Sequence, residues 1–134
     1  MRVLVTGGGG YIGSVAIERL IAKGHDVVAL DSFYRGHKSA VHPDARILTT
    51  DLRNAGETLR AVEESRAEAV MHFAALHLVP ESVNAPGEYY ATNVCGGINL
   101  LNAVKDIGID RFVFSSTAAV YGEPKSLPIR EDDP

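Results

Sequence analysis

The chain has 134 residues, 46% hydrophobic and 22% charged, and suits one soluble domain that buries roughly two-thirds of its unfolded surface. Thirteen basic residues against 17 acidic ones give a net charge of −4, and no basic tract appears, so nucleic acid is not an expected partner. The single cysteine, Cys95, excludes an internal disulfide and fits a reducing, cytoplasmic setting, and no apolar run approaches the roughly 18 residues of a membrane span.

Met1 leads straight into a strand, with no leader of signal-peptide pattern. That strand, residues 2–6 (RVLVT), is short and β-branched and runs into a glycine cluster. Residues 11–23 then read as a helix with Ile12, Ala16, Ile17, Leu20 and Ile21 on one face and Gly24 as its stop. A second strand spans 26–31 (DVVALD), and the polar stretch 32–44 reads as a loop. A third strand is expected at 46–50, a short helix at 55–65 and a fourth strand at 68–73. A long helix follows from about Pro86 to Ile107, with Tyr90, Val94, Gly97, Leu101 and Val104 as its buried stripe. On that reading Cys95 is a buried, inert thiol. Residues 110–115 (DRFVFS) give a fifth strand, and no clear period follows Ala118. Alternating strands and helices, with strands that are apolar almost throughout, imply an α/β fold with a parallel sheet covered on both faces. The expected strand order is 3-2-1-4-5, in a single domain covering 1–134.

Five of the 13 glycines fall within residues 7–13, in the run Thr6–Gly13 (TGGGGYIG) between a strand and a helix. Phosphate held at a helix N-terminus needs free backbone N–H groups and close backbone approach, which side chains would block. Gly7 suits the tight turn, Gly10 the approach of phosphate, and Gly13 the close packing of the helix. Asp31 ends the second strand 18 residues after Gly13, near the spacing at which a carboxylate meets the adenosine ribose. Its charge favours NAD over NADP, and Arg35 nearby keeps NADP open as the lesser alternative. Ser32 adjoins it, and Asp51-Leu52 offers a further acceptor and an apolar wall for adenine. These features describe a Rossmann-type dinucleotide site. The histidines have no metal-ligand spacing, so no metal is expected.

The segments TGGGGYIGS, VVALDS, DLR (51–53), MHFAALHLVPESV (71–83), YYATNVCGGINLL (89–101) and RFVFSSTAAVYGEP (111–124) together resemble the extended short-chain dehydrogenase/reductase family of sugar-nucleotide enzymes. The stretches PES (80–82) and VYGEP (120–124) tip the resemblance toward its 4-epimerase branch. It implies that Tyr11 and Ile12 lie along a pyrophosphate, Asp31 on the ribose, and Asp51 and Leu52 at the adenine. It further implies that Phe73, Ala74 and Ala75 run toward the nicotinamide ribose, with His77 where the family carries lysine. Asn93 would support the cofactor-side polar network, and Thr117 would contact the sugar 4-hydroxyl. Implied partners are UDP-glucose or UDP-galactose, and a second subunit packed on the long helix. Val15 stands where the family has histidine.

The family chemistry belongs to a Tyr-x-x-x-Lys pair on one helix face, where the lysine lowers the tyrosine pKa. Its expected place lies beyond residue 134. Tyr34–Lys38 and Tyr121–Lys125 match by count, but both contain glycine and the second contains Pro124, which breaks a helix. The expectation is therefore the NAD-binding portion of a 4-epimerase, inactive by itself and prone to self-association. Alternatives are a nucleotide-binding or interaction module without catalysis, or part of a related dehydratase.

Overall fold

The structure, a computed structural model, describes residues 1–124 and 126–133. Five parallel strands, β1 (Arg2–Thr6), β2 (Asp26–Asp31), β3 (Arg46–Thr49), β4 (Ala69–His72) and β5 (Phe112–Phe114), lie in the order 3-2-1-4-5. This is the doubly wound Rossmann-type arrangement expected from the sequence. The central strands are apolar on both faces because both faces are covered. Val3 and Val5 point toward α1 (Tyr11–Ala22), where Ile17 joins Val27 and Ala29 in one core. Leu4, Val28, Leu30 and Val70 meet the other side, packing with Val62 of α2 (Ala55–Ser65) and Leu100 of α5 (Gly96–Ile107). Each such fully buried side chain is worth about 1.5–3 kcal/mol of transfer free energy.

Local chemistry sets the helix limits. Asn54 caps α2, its Oδ1 accepting from the Glu57 N–H at 3.1 Å, and Arg66 ends that helix in the left-handed region at φ 50°. Within the second core layer, Thr6 Oγ1 lies 2.6 Å from His72 Nδ1, and the imidazole packs between Phe112 and Phe114. Burial pushes the His72 pKa below the usual histidine value.

The long helix expected at 86–107 is present over those bounds, but its hydrogen-bond pattern changes midway. It runs through α4 (Pro86–Tyr89), a π turn (Tyr90–Cys95) and α5, and a separate helix not expected from the sequence, α3 (Val79–Asn84), precedes it. In the π turn each N–H bonds one residue further back than in the α turns on either side. Tyr90, Val94 and Leu101 of the expected buried stripe are exposed, while Tyr89, Leu100 and Ala103, one residue out of phase with it, are buried along with Val104. Cys95, expected to be buried, is exposed as well. No helix among the described residues is long and apolar enough to cross a membrane.

Candidate functional site

A cleft of about 400 Å³ opens at the C-terminal ends of β1, β2, β3 and β4. Open α/β sheets place ligands at this edge, where the strand order reverses between β1 and its two neighbours. Its floor is the glycine loop. Gly7 takes φ +72°, and a Cβ there would stand 2.7 Å from the Ala74 nitrogen, so no other residue fits without displacing the β4 exit. A Cβ on Gly13 would stand 2.1 Å from the Gly7 carbonyl oxygen. The start of α1 is thus pressed onto the loop itself.

This packing leaves a set of donors facing the cleft. The first hydrogen bond of α1 runs from Ser14 N–H to Gly10 O, and Gly10 supplies no side-chain cap. The N–H groups of Tyr11, Ile12 and Gly13 therefore have no partner among the described residues, and all three residues line the cleft with Gly7 and Gly10. Free N–H groups and the positive end of a 12-residue helix make a seat for a phosphate pair.

At the second wall, Asp31 lines the cleft beside Ser32. Its Oδ2 accepts from Gly9 N–H at 2.9 Å and its Oδ1 from Phe33 N–H at 2.7 Å. These bonds aim the carboxylate while leaving lone pairs for a diol. Asp51 and Leu52 line the third wall. Arg53 grips Asp51, with Nη2 2.6 Å from Oδ2. The Arg53 hydrogen bonds hold the Asp51 carboxyl below its usual pKa range.

Phe73, Ala74, Ala75 and His77 line the far wall, as the extended run leaving β4. Asn93 does not line the cleft but fixes this run. Its Oδ1 accepts from Leu76 N–H at 2.8 Å, and its Nδ2 donates to Leu76 O at 2.9 Å. Thr117 stands apart from the cleft as the cap of a short 3-10 turn, Ala118–Tyr121, accepting from Ala119 N–H at 3.2 Å. Val15 is also outside the lining.

Sequence reasoning missed several lining residues, among them Tyr34, Arg53, Glu88 and Thr92. Glu88 and Thr92 carry no local motif; the signal available was their position just before and within the segment that Asn93 anchors. Of the two Tyr-x-x-x-Lys matches, Tyr34 and Lys38 share no helix. Arg35 sits over the Tyr34 ring and the Lys38 ammonium over Phe33. Lys125 of the other match lies outside the described residues. Among the described residues no three His, Cys, Asp or Glu side chains gather as a metal site would need.

Comparison with known proteins adds to this geometry. Residues 3–134 match the NAD dependent epimerase/dehydratase family. The chain is 49% identical to the UDP-glucose 4-epimerase of Lactobacillus helveticus over its full length, which is 41% of that relative. It is 40% identical to the UDP-glucose 4-epimerase of Klebsiella pneumoniae, covering 98% of this chain and 99% of that one. The Thermus thermophilus UDP-glucose 4-epimerase, solved in complex with NAD, superposes with a TM-score of 0.92 at 40% identity, covering all of this chain and 44% of that one. The chain thus spans about two-fifths of the length of the first relatives it matches.

Proposed function

The chain belongs to the NAD dependent epimerase/dehydratase family, and on that premise we propose that residues 1–134 are the NAD-binding domain of a UDP-sugar 4-epimerase. The observation that carries this reading is the pairing of three unpartnered N–H groups at the start of α1 with the aimed Asp31 carboxylate across one cleft. Their chemistry suits a pyrophosphate and a ribose diol respectively. The relatives' names support UDP-glucose as substrate, and the NAD complex of the Thermus protein supports the cofactor.

Each residue then has a defined task. Tyr11, Ile12 and Gly13 donate their N–H groups to the phosphates. Asp31 accepts from the ribose hydroxyls, and Leu52 walls the adenine. Asn93 keeps the 73–77 run extended, so that Phe73 to Ala75 lie along the cofactor toward its nicotinamide end, where His77 offers a hydrogen bond. Bound NAD supplies a hydride acceptor for C4 of the sugar. Thr117 lies beyond β5 on the same edge of the sheet and would meet the sugar 4-hydroxyl. Proton transfer from that hydroxyl needs a base, and none of the described tyrosines shares a helix face with a lysine. The domain by itself therefore binds cofactor without turning over sugar. The exposed apolar face of Tyr90, Val94, Ile98 and Leu101 supports pairing of two copies through this helix. A cytoplasmic setting completes the reading.

Calorimetric titration with NAD, followed by an assay with UDP-glucose, tests it. Saturable binding without turnover is expected. Absence of NAD binding, or epimerisation by this chain alone, refutes the respective half of the proposal.

A further inference from the structure

Arg35 and Arg53 are the Lys/Arg side chains among the described residues that line the cleft. Arg53 is committed to Asp51 and stands 3.9 Å from Glu88. Arg35 is committed elsewhere: its guanidinium pairs with Glu81, which does not itself line the cleft. The two residues are 46 positions apart and bridge the loop after β2 to α3.

Glu81 is held in place for this pairing. Its Oε1 takes Arg35, and its Oε2 accepts from the Tyr89 hydroxyl at 2.6 Å. Tyr89 is buried and its hydroxyl also lies 2.8 Å from the Leu78 carbonyl, so its single proton is shared between two acceptors of the first turn of α3. By contrast, α3 contributes no buried side chain to the fold. Hydrophobic packing does not explain where Glu81 sits; the hydrogen bonds do.

The other end of the bridge is at the adenosine wall. Arg35 follows Asp31 by four residues, and the next residue, Gly36, lies against the Asp31 carboxylate. A Cβ on Gly36 would be 3.0 and 3.1 Å from its two oxygens. An arginine at this place is the group that accommodates the 2′-phosphate of NADP in dinucleotide-binding folds.

We infer that Glu81 is a specificity-determining positioning residue, which holds Arg35 away from the adenosine ribose and so denies a 2′-phosphate its counter-charge. This rests on the cleft being the NAD site. Asp31 repels the phosphate directly; Glu81 removes the cation that would offset that repulsion. With Arg53 also engaged, no Lys or Arg lining the cleft, among the described residues, is free to meet a third phosphate.

The test is calorimetric titration with NAD and with NADP, the latter by displacement of NAD, read as the ratio of the two dissociation constants. Glu81→Ser and Glu81→Ala each remove the acceptor and release Arg35, and either suffices should the other fail to fold. The NADP-to-NAD ratio is expected to fall about fivefold, the worth of the exposed ion pair that a 2′-phosphate must otherwise break. Adding Arg35→Ala to either variant is expected to restore the ratio. A ratio within about twofold of the unmodified chain overturns the inference. So does an equal fall in the Arg35→Ala background, which would make Glu81 a mere source of negative field. Failure of the unmodified chain to bind NAD refutes the site itself, a result distinct from either.

Discussion

Alanine at Gly13 and alanine at Gly56 should move stability in opposite directions, although both glycines lie in the first turn of a helix. At Gly13 the new methyl would stand 2.1 Å from the Gly7 oxygen, 2.8 Å from the Gly7 carbonyl carbon and 3.0 Å from Gly8 Cα. All three are backbone atoms, so no side chain can swing aside. The carbonyl is more than 1 Å too close for an ordinary contact. It also accepts from Gly10 N–H at 3.0 Å, and Gly7 N–H donates to Leu30 O at 2.8 Å, which ties the loop to the sheet. Relief therefore means lifting the start of α1. Overpacking of this kind costs about 1–3 kcal/mol, and the strained Gly10–Gly7 hydrogen bond adds about 1. Replacing glycine in a helix returns at most about 1. The net is a loss of about 1–3 kcal/mol, or roughly 4–12 °C in melting temperature for a domain of this size.

At Gly56 the nearest atoms would be Asn54 Oδ1 at 3.7 Å and Arg60 Nη1 at 3.8 Å, both ordinary contacts. Only the conformational term remains, so Gly56→Ala gains about 0.5 kcal/mol. Urea unfolding followed by circular dichroism measures both. NAD titration of Gly13→Ala should show weakened binding as well, because the displaced turn carries the three free N–H groups. Equal stability of Gly13→Ala and the unmodified chain, or a shift of both variants in the same direction, would refute the close-packing argument.

Other outcomes follow from single contacts. Asn93→Ala removes both hydrogen bonds to the Leu76 backbone, and should cost about 2 kcal/mol in urea unfolding while weakening NAD binding in calorimetry. Burial keeps His72 neutral in the fold below the pH at which the unfolded chain protonates, near 6.5. Its contribution is complete above that pH and is lost as pH falls from there toward the depressed folded value, with a slope of at most about 1.4 kcal/mol per pH unit. Urea midpoints from pH 8 to 5 should fall accordingly, and His72→Gln should flatten the curve; an unchanged slope would count against this assignment. Leu101→Glu places a charge in the exposed apolar face and should shift sedimentation toward monomer, whereas a monomeric unmodified chain at high concentration would rule out pairing through that face.

Strands and glycine loop were legible because their determinants are local. A β-branched run buried on both faces needs no partner to be recognised, and Gly7, Gly10 and Gly13 carry their constraint in backbone geometry. Side chains at one sheet edge come from successive strand ends, so Asp31 and Asp51 were readable in chain order, whereas Phe73 rested on the family resemblance; all three line the cleft. The bridge that fixes Arg35 was invisible for the opposite reason. Glu81 lies on a helix with no buried side chain, and periodicity reports burial alone.

The long helix shows the same boundary more sharply. A 3.6-residue period carried from Pro86 to Ile107 selects Tyr90, Val94 and Leu101 as the inner face, and the fold exposes all three. The period itself held, since Tyr89, Gly96, Leu100 and Ala103 are buried at regular helical spacing; the phase is one residue off, because the apolar side chains at 90, 94 and 101 lie on the outer face. Asn93 lies within the π turn, and its amide takes both the N–H and the carbonyl of Leu76, 17 positions earlier. The widened turn and the anchored wall are thus coupled. If Asn93 holds the turn, Asn93→Ala should release it to regular α geometry. Hydrogen-exchange protection rising at Ala91–Cys95 while it falls at Ala75–His77 would be its signature. Equal loss of protection in both segments would mean the turn is set by α5 packing instead.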